Sequence, residues 1–337
     1  MAILPIFIPH AGCPHQCVFC NQKTISGQKT AAVEGAKEQI KRWRSWLRPS
    51  ADNEAAFYGG SFTGLEIALQ EQLLALTDGL IAEGMVGRVR LSTRPDYINK
   101  EVLALLKAHH VELVELGVQS LDNAVLKRAE RGHGAEAVYE AMALLKSCGF
   151  KTGIQLMVGM PGQDFASVQA TAKDVVALRP DIARIYPLLV IKGTPLEAQY
   201  AAGQFAPLEL AEAVYQSAYV YRTLTAAGIK VIRVGLQADG ELCAPGNIVA
   251  GPFHPSMGEL VQSYLVRQEL TPKLRALAEQ GAQELVLRCP KRMESKLRGM
   301  KNANMDYWQK LFPNIRLTIC ADALGDDEIK ISGKYFL

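Results

Sequence analysis

The sequence predicts an α/β protein: a partial or full (β/α) barrel followed by a small α+β C-terminal domain. Strand-like apolar runs alternate with segments whose apolar residues recur every three or four positions, the spacing typical of amphipathic helices. Strands separated by such helices pair in parallel, because a parallel crossover needs about a dozen residues or more. Six or seven repeats of this unit favour a barrel, and a doubly wound open sheet is the structural alternative.

Seven strands are predicted within the first 235 residues. They are Ile3–Ile8, Ala55–Tyr58, Arg88–Leu91, Val111–Gly117, Thr152–Val158, Ile182–Ile191 and Ile229–Val234. The helices lie between them; one has Ala36, Ile40, Trp43 and Leu47 on a single face. This alternation defines a barrel domain over residues 1–235.

The pattern changes after residue 235. Residues 235–258 are rich in Gly and Pro and predict long loops, with a helix from Met257 to about Gln268 and a further short helix opened by Pro272. We interpret residues 236–283 as an extension of the barrel and residues 284–337 as a small basic domain. The elements predicted there are strand Glu284–Cys289, helices Met293–Leu297 and Ala303–Leu311, and strands Ile315–Cys320 and Glu328–Ser332.

Composition excludes several classes of protein. Hydrophobic residues make up 49% and charged residues 21% of the 337, as in an ordinary globular protein. The net charge of +3 argues against a polycation and against a membrane-surface binder. No apolar run approaches the length of a membrane span, and the apolar start lacks the basic segment and cleavage site of a secretory leader. Three of the seven Cys crowd together, which indicates a reducing, cytoplasmic location and a metal or cluster site.

The strongest motif is Cys13, Cys17 and Cys20, spaced C-x₃-C-x₂-C directly after the first strand, with Phe19 before the third Cys. Three thiolates this close can hold three irons of a 4Fe–4S cluster and leave the fourth iron open to a small molecule. The alternative is a structural zinc site completed by His10 or His15, although zinc sites usually use a distant second ligand pair. The other cysteines have apolar neighbours and are predicted to be buried thiols: Cys148, Cys243, Cys289 and Cys320.

This motif resembles that of the radical S-adenosylmethionine (SAM) superfamily. The resemblance implies a barrel of that type and two cofactors, a 4Fe–4S cluster and SAM. In that superfamily the methionine amine and carboxylate bind the fourth iron, and an electron from the cluster cleaves SAM to a 5′-deoxyadenosyl radical that abstracts a substrate hydrogen. Such an enzyme takes its electron from an external donor such as ferredoxin or flavodoxin.

The resemblance also implies SAM contacts at the carboxyl ends of the strands, where a parallel barrel gathers its active site. Gly59, Gly60 and Ser61 end the second strand and look like the superfamily's SAM-amine motif, since glycine backbone can approach a ligand closely. Gln119, with Arg131 twelve residues later, resembles the pair that holds the SAM ribose and carboxylate in relatives such as oxygen-independent coproporphyrinogen oxidase. A guanidinium suits bidentate carboxylate binding, although a loop arginine can also simply face solvent.

Two further positions depart from the pattern of those relatives. Ser92 and Gln155 stand where the relatives often carry a carboxylate, so contacts to SAM from here would be neutral hydrogen bonds. Phe19 is expected to pack near the adenine or to shield the cluster. His133 is expected to be structural, and Lys192 an exposed loop lysine rather than a contact to an anionic substrate.

Residues 1–235 most resemble the radical SAM half of the Elongator catalytic subunit family. The stretches that carry this are LGVQSLDNAVLKRAERGH, CGFKTGIQLMVGMPG and RPDIARIYPLLVIKGTPLEAQYAAGQF. That family modifies the wobble uridine of tRNA with acetyl-CoA as carbon source, and its first two cysteines are further apart. Its acetyltransferase domain needs about 150 residues, and only about 100 follow Leu236, so we expect no room for it in this sequence. The resemblance implies modification of tRNA; a small molecule such as a porphyrin is the alternative substrate, and a non-enzymatic RNA-binding or zinc-stabilised module is the alternative class.

Residues 285–316 form a basic segment with eight Lys or Arg and two acidic residues, a net charge of +6. The predicted order strand–helix–turn–helix–strand–strand resembles part of a KH domain, whose G-x-x-G loop clamps nucleic-acid backbone. Here the corresponding loop runs from Gly299 to Asn302, so its second glycine is missing. The alternatives are a solvated basic face and an RNA-binding module. The candidate RNA contacts are Lys291, Arg292, Lys296, Arg298 and Lys301.

Overall fold

Seven parallel strands form a curled half-barrel in the computed structural model, which describes residues 2–8, 13, 15–21, 32–236, 244–322, 325 and 328–335. The strands are β1 (Ile3–Ile8), β2 (Glu54–Gly59), β3 (Arg88–Thr93), β4 (Val111–Gln119), β5 (Lys151–Val158), β6 (Ile182–Pro187) and, after the short β7 (Val190–Ile191), β8 (Lys230–Val234). They pair in the order β1-β2-β3-β4-β5-β6-β8. A doubly wound sheet would reverse its strand order at a switch point, so the predicted partial barrel is confirmed and the open-sheet alternative is wrong.

Helices cover the outer face of this sheet, and four of those described begin at a polar side-chain cap. They are α1 (Ala32–Arg44), α2 (Ile67–Ala82), α3 (Lys100–Ala108), α4 (Asn123–Arg128), α5 (Ala135–Ser147), α6 (Phe165–Leu178), α7 (Pro195–Ala201), α8 (Leu210–Ala226) and α9 (Met257–Glu279). Asn99, Asp122, Asp164 and Thr194 accept hydrogen bonds from the first-turn N–H groups of α3, α4, α6 and α7. Between sheet and helices lies one continuous apolar core. Among the described residues, no helix is long and apolar enough to cross a bilayer.

Two predicted elements differ in the structure. The run Ile182–Ile191 is not one strand: β6 ends at Pro187, and β7 pairs instead with β9 (Ile248–Ala250) in a separate two-stranded sheet. Proline lacks the N–H that a continuing ladder needs. The helix predicted to end near Gln268 continues through Pro272 as α9. Leu270 and Leu274 are buried on either side of this proline, so tertiary packing outweighs the helix-breaking preference.

A three-stranded sheet forms the C-terminal part of the chain. Its elements are β10 (Glu284–Cys289), α10 (Glu294–Arg298), α11 (Ala303–Leu311), β11 (Arg316–Ala321) and β12 (Lys330–Lys334). β10 is central, parallel to β11 and antiparallel to β12. The core of this part centres on the fully buried Trp308 and includes Leu270 and Leu274 of α9. The domain limits 1–235, 236–283 and 284–337 stay predictions, and α9 contributes to the cores on both sides of residue 283.

Two of the described cysteines outside the motif are less buried than predicted, and the third is buried as predicted. Cys289 is buried in β10, and burial raises the pKa of its thiol. Cys148 and Cys320 are only half-buried, because one ends α5 and the other lies on the edge strand β11. Cys243 lies outside the described residues, as do His10 and Pro14.

Candidate active site

The cysteine loop lies at the carboxyl end of β1 and is fixed through Val18. The Val18 N–H donates to the Ala129 carbonyl at 3.2 Å, and the Val18 carbonyl accepts from the Leu196 N–H at 2.8 Å. The Val18 side chain is buried in a small apolar cluster with residues of α4 and α7. Cys17 is buried, while Cys13 and Cys20 are half-buried. The helices α4 and α7 therefore hold the loop at Val18, which lies between the second and third cysteines.

Arg131 contacts this loop directly. Its side chain donates from Nη1 to Cys17 Sγ at 3.3 Å and from Nη2 to the Gly117 carbonyl at 2.5 Å. The residue is 6% exposed, and its Nε has no hydrogen-bond partner among the described residues. Gly132 has a φ of +77°, and a Cβ there would lie 2.3 Å from the His15 ring. A side chain at this position would clash with the His15 ring, and the positive φ also favours glycine.

Arg94, which follows β3, holds the backbone of Arg131 in place through a hydrogen bond. It makes a bidentate pair with Asp96 at 2.9 and 2.8 Å, and its Nη2 also donates to the Arg131 carbonyl at 2.5 Å. Burial alone would lower the pKa of the Arg94 guanidinium, but Asp96 and the nearby thiols of Cys13 and Cys17 raise it. Its Nη1 is buried without a partner among the described residues. The cysteine motif thus lies beside two buried cations, each with one unused donor.

The predicted Gly59–Ser61 segment is tied to the end of β3. Ser61 Oγ lies 3.0 Å from Thr93 Oγ1 and accepts from the Arg94 N–H at 3.1 Å. The Thr93 hydroxyl also bonds Thr63 Oγ1 at 2.6 Å. Gly59 adopts a φ of +99°, which a side chain rarely allows. The serine hydroxyl is therefore used inside the protein, and the segment offers a ligand mainly its glycine backbone.

Gln119 ends β4 in a left-handed conformation with a φ of +68°, which is uncommon for a residue other than glycine. The β4–β5 register shifts between Gly117 and Gln119, so one residue is left out of the ladder here. The Gln119 Oε1 is buried and has no partner among the described residues. A buried acceptor of this kind needs a hydroxyl or amine donor, which a ligand can supply.

His133 contacts Arg131. Its Nδ1 lies 3.0 Å from the Gly134 carbonyl, and its Nε2 lies 3.3 Å from Arg131 Nη2. Burial, with a contribution from the Arg131 charge, lowers the pKa of the imidazole to about 4. The ring is therefore neutral near pH 7, donating through Nδ1 and accepting through Nε2.

These residues fit a 4Fe–4S cluster with SAM better than they fit zinc. Zinc would need the cysteines and a histidine to converge on one point; in the described part of the chain no three such side chains do so, and His10 lies outside that part. A cubic cluster instead spreads its thiolates over three corners. The unused donors of Arg94 and Arg131 suit an anionic group, and the unused Gln119 oxygen suits a hydroxyl or ammonium.

Comparison with known proteins decides the family. Residues 7–175 match the Radical SAM superfamily, and residues 180–267 match the Radical_SAM C-terminal domain. The chain belongs to the radical SAM superfamily. It is accordingly an enzyme of the radical SAM class, with a 4Fe–4S cluster and SAM as its cofactors.

Its relatives include proteins that act on tRNA. The tRNA uridine(34) acetyltransferase of Methanocaldococcus infernus is 27% identical over 312 residues, 80% of this chain and 57% of that protein. Human Elongator complex protein 3 is 35% identical over 132 residues, 37% of this chain and 24% of that protein. A solved structure of the archaeal M. infernus Elp3 with an N-terminal deletion has a TM-score of 0.64 at 25% identity, over 80% of this chain and 63% of that one. The radical SAM chain thus spans little more than half the length of its curated archaeal relative.

The two neutral positions, Ser92 and Gln155, are brought together within the half-barrel. Gln155 Nε2 donates to Ser92 Oγ at 3.2 Å and lies 3.5 Å from Glu115 Oε2. Both side chains therefore already have polar partners of their own. Their role as SAM contacts stays a prediction.

A charged layer beneath them was not predicted from the sequence. Glu115, 1% exposed, accepts from Arg184 at 2.5 and 3.1 Å and lies 3.8 Å from Arg90. Arg90 donates to the Tyr58 hydroxyl, and the Tyr58 ring lies under both guanidiniums at 5.6 and 5.7 Å. Burial alone would lower the pKa of Arg184, but Tyr186 and Glu115 raise it. The available signal was a charge in the middle of an apolar strand, as in RVRLST, VELVELGVQ and IARIYP.

The remaining predicted residues lie apart from this centre or at its edge. Phe19 is half-buried against the apolar cluster that holds Val18, and Lys192 is exposed, with its carbonyl accepting from Asn21 at 2.7 Å. Among the candidate RNA contacts, Arg298 pairs with Glu294 at 2.8 Å. The exposed ones are Lys291, Arg292 and Lys301, and the half-buried ones are Lys296 and Arg298.

Proposed function

We propose that this enzyme cleaves SAM reductively and uses the product to modify RNA, with tRNA as its substrate. The observation that carries the first half is the contact from Arg131 to Cys17, which places a buried cation on the cysteine loop. This contact lies at the carboxyl ends of parallel strands, where such a barrel gathers its chemistry. When bound, the cluster supplies the electron that cleaves SAM.

The residues of this chain have distinct roles in the proposal. Cys13, Cys17 and Cys20 hold three irons. Arg131 and Arg94 present buried N–H donors to the anionic groups beside them, and the Gln119 oxygen accepts from a hydroxyl or ammonium of SAM. The Gly59–Gly60 backbone and Phe19, which packs against the apolar cluster around Val18, complete the proposed set of contacts to SAM. A low-potential protein such as ferredoxin or flavodoxin supplies the electron.

Anaerobic reconstitution tests this half of the proposal. We expect a brown protein with about four irons that, once reduced, forms 5′-deoxyadenosine from SAM. Cys17→Ala should lose the iron and the product, whereas Cys148→Ala, which changes a half-buried thiol outside the loop, should keep both. A colourless protein that binds one zinc and forms no 5′-deoxyadenosine would contradict the proposal.

The basic C-terminal part supports an RNA substrate. Eight basic side chains against two acidic ones in residues 285–316 give a local potential that suits a phosphate backbone. Lys296 and Lys301 have no ion-pair partner among the described residues. Lys301 belongs to the turn between α10 and α11, where the KH-like resemblance puts the backbone clamp. The archaeal relatives, which are tRNA uridine(34) acetyltransferases, point the same way.

Affinity for tRNA over a range of salt concentrations tests this half. We expect Lys296→Gln/Lys301→Gln to weaken binding and to reduce the salt slope by about two units, about one for each lost phosphate contact. The matched control is Lys151→Gln/Lys273→Gln, two lysines that already pair with glutamates. An unchanged slope would rule out the KH-like contact. Comparing the nucleosides of tRNA from cells with and without the protein identifies the modified base.

A further inference from the structure

The carboxyl end of α1 carries two tryptophans among cations. Trp46 is 82% exposed and Trp43 is 37% exposed. Around them the exposed cations are Lys41, Arg42, Arg44 and Arg48. We call these six residues the α1 patch.

Core packing does not explain this patch. α1 faces the barrel with Gly35, Ala36 and Gln39, and Leu47 packs against the main core just after the helix ends. Cations near a helix C-terminus favour the helix dipole, which accounts for some of the charge. It does not account for Trp46, whose large ring buries almost no surface against the rest of the protein.

The charge of the patch is mostly unpaired. No acidic residue occurs between Gln39 and Ala51. Arg44 pairs with Glu83 at 2.7 Å, and Arg42 lies 5.9 Å from the centre of the Trp43 ring. Lys41, Arg42 and Arg48 have no ion-pair partner among the described residues. Exposed aromatic rings among unpaired cations are the combination that binds single-stranded nucleic acid, since bases stack on the rings and phosphates meet the charges.

We infer that the α1 patch is a second RNA-binding site, which holds a single-stranded segment by stacking a base on Trp46. The inference rests on the proposed RNA substrate and adds a surface remote from the cysteine loop. β2 begins beside the first residue of β1, and α1 returns the chain to that end of the sheet. Thirteen helical residues span about 20 Å, so the patch lies near the edge opposite the strand ends that carry the cysteines. That separation argues against an electron donor as the partner that binds the α1 patch, because a donor must approach the cluster.

Anisotropy of a labelled twelve-nucleotide oligouridine, measured with the reconstituted enzyme, tests the inference. We expect Trp46→Ala to weaken binding roughly ten-fold, the effect of losing one stacked base, and Trp46→Phe to retain most of the affinity. Lys41→Gln/Arg48→Gln should reduce the salt slope by about two units. The matched control is Tyr139→Ala, an aromatic residue 42% exposed beside Asp174, which should change nothing.

The outcomes separate this inference from the function on which it rests. If tRNA and oligouridine bind and only the C-terminal lysine variants weaken them, the second site is wrong and the RNA substrate stands. If the wild-type enzyme binds neither RNA, both proposals fail. If Trp46→Ala lowers sedimentation with vesicles of anionic phospholipid but leaves oligouridine binding unchanged, the patch binds membranes rather than RNA. Unfolding by urea should be the same for Trp46→Ala and the wild type, since the ring is exposed.

Discussion

Glu115→Gln probes the charged layer inside the half-barrel. The substitution keeps the shape of the side chain and removes its charge. It leaves the guanidiniums of Arg184 and Arg90, whose side chains are only 10% and 8% exposed, without the carboxylate they share. Removing one member of a buried ion pair costs about 3–5 kcal/mol, because the remaining charge is desolvated without compensation. We expect the free energy of unfolding to fall by about that amount.

Urea unfolding followed by circular dichroism measures this loss. Glu112→Gln is the matched control on the same strand: that side chain is 37% exposed and pairs with Lys151 and Arg88, so its loss should cost less than about 1 kcal/mol. Replacing the pair together, Glu115→Leu/Arg184→Met, should recover part of the stability, since both buried charges are then removed. Equal losses for Glu115→Gln and Glu112→Gln would refute the reasoning.

Three further predictions concern the site and the C-terminal helix. Arg131→Met removes the N–H donated to Cys17 Sγ, so potentiometric titration without SAM should give a cluster potential roughly 60–130 mV more negative, and an unchanged potential would count against the contact. The folded-state pKa of His133, about 4 against 6.5 for the ordinary imidazole, means that the unfolded chain takes up the proton first; stability should therefore fall as the pH drops from about 6.5 to about 4. His133→Gln should flatten that part of the curve, and an identical pH dependence of the unfolding midpoint would contradict the assignment. Pro272→Ala should stabilise α9 by about 1–3 kcal/mol, read from the same urea curves, and a lower midpoint would show that the proline is required.

The strands were predictable because their signals are local. β1 has the predicted limits Ile3–Ile8, and β10 has the predicted limits Glu284–Cys289. What failed depends on distant parts of the chain. β7 leaves the main sheet because it pairs with β9, nearly sixty residues later. α9 passes through Pro272 because Leu270 and Leu274 enter a core built mostly from later residues.

The same distinction applies to the site: residues in local motifs were predictable, and contacts between distant residues were not. Three cysteines within eight residues are visible as a motif, and so are the glycines and Gln119 that end the strands. The support from Arg94 is not visible, because its partner carbonyl at Arg131 is 37 residues away. The pair of Glu115 and Arg184 joins residues 69 apart. Only the assembled sheet brings such groups together, and a single sequence gives each of them merely as a charge in an apolar strand.

The shared helix α9 has a consequence for how the protein can come apart. Its 23 residues span roughly 35 Å. Near one end Met257 and Val261 pack with Val214 of α8, and further along Leu270 and Leu274 pack with the small sheet. Cutting the chain at residue 283 would therefore not release an independently folded domain. It would expose the apolar residues of α9, a helix that also packs against the barrel. The two parts are expected to melt in a single cooperative transition, so losing the tail weakens the barrel as well.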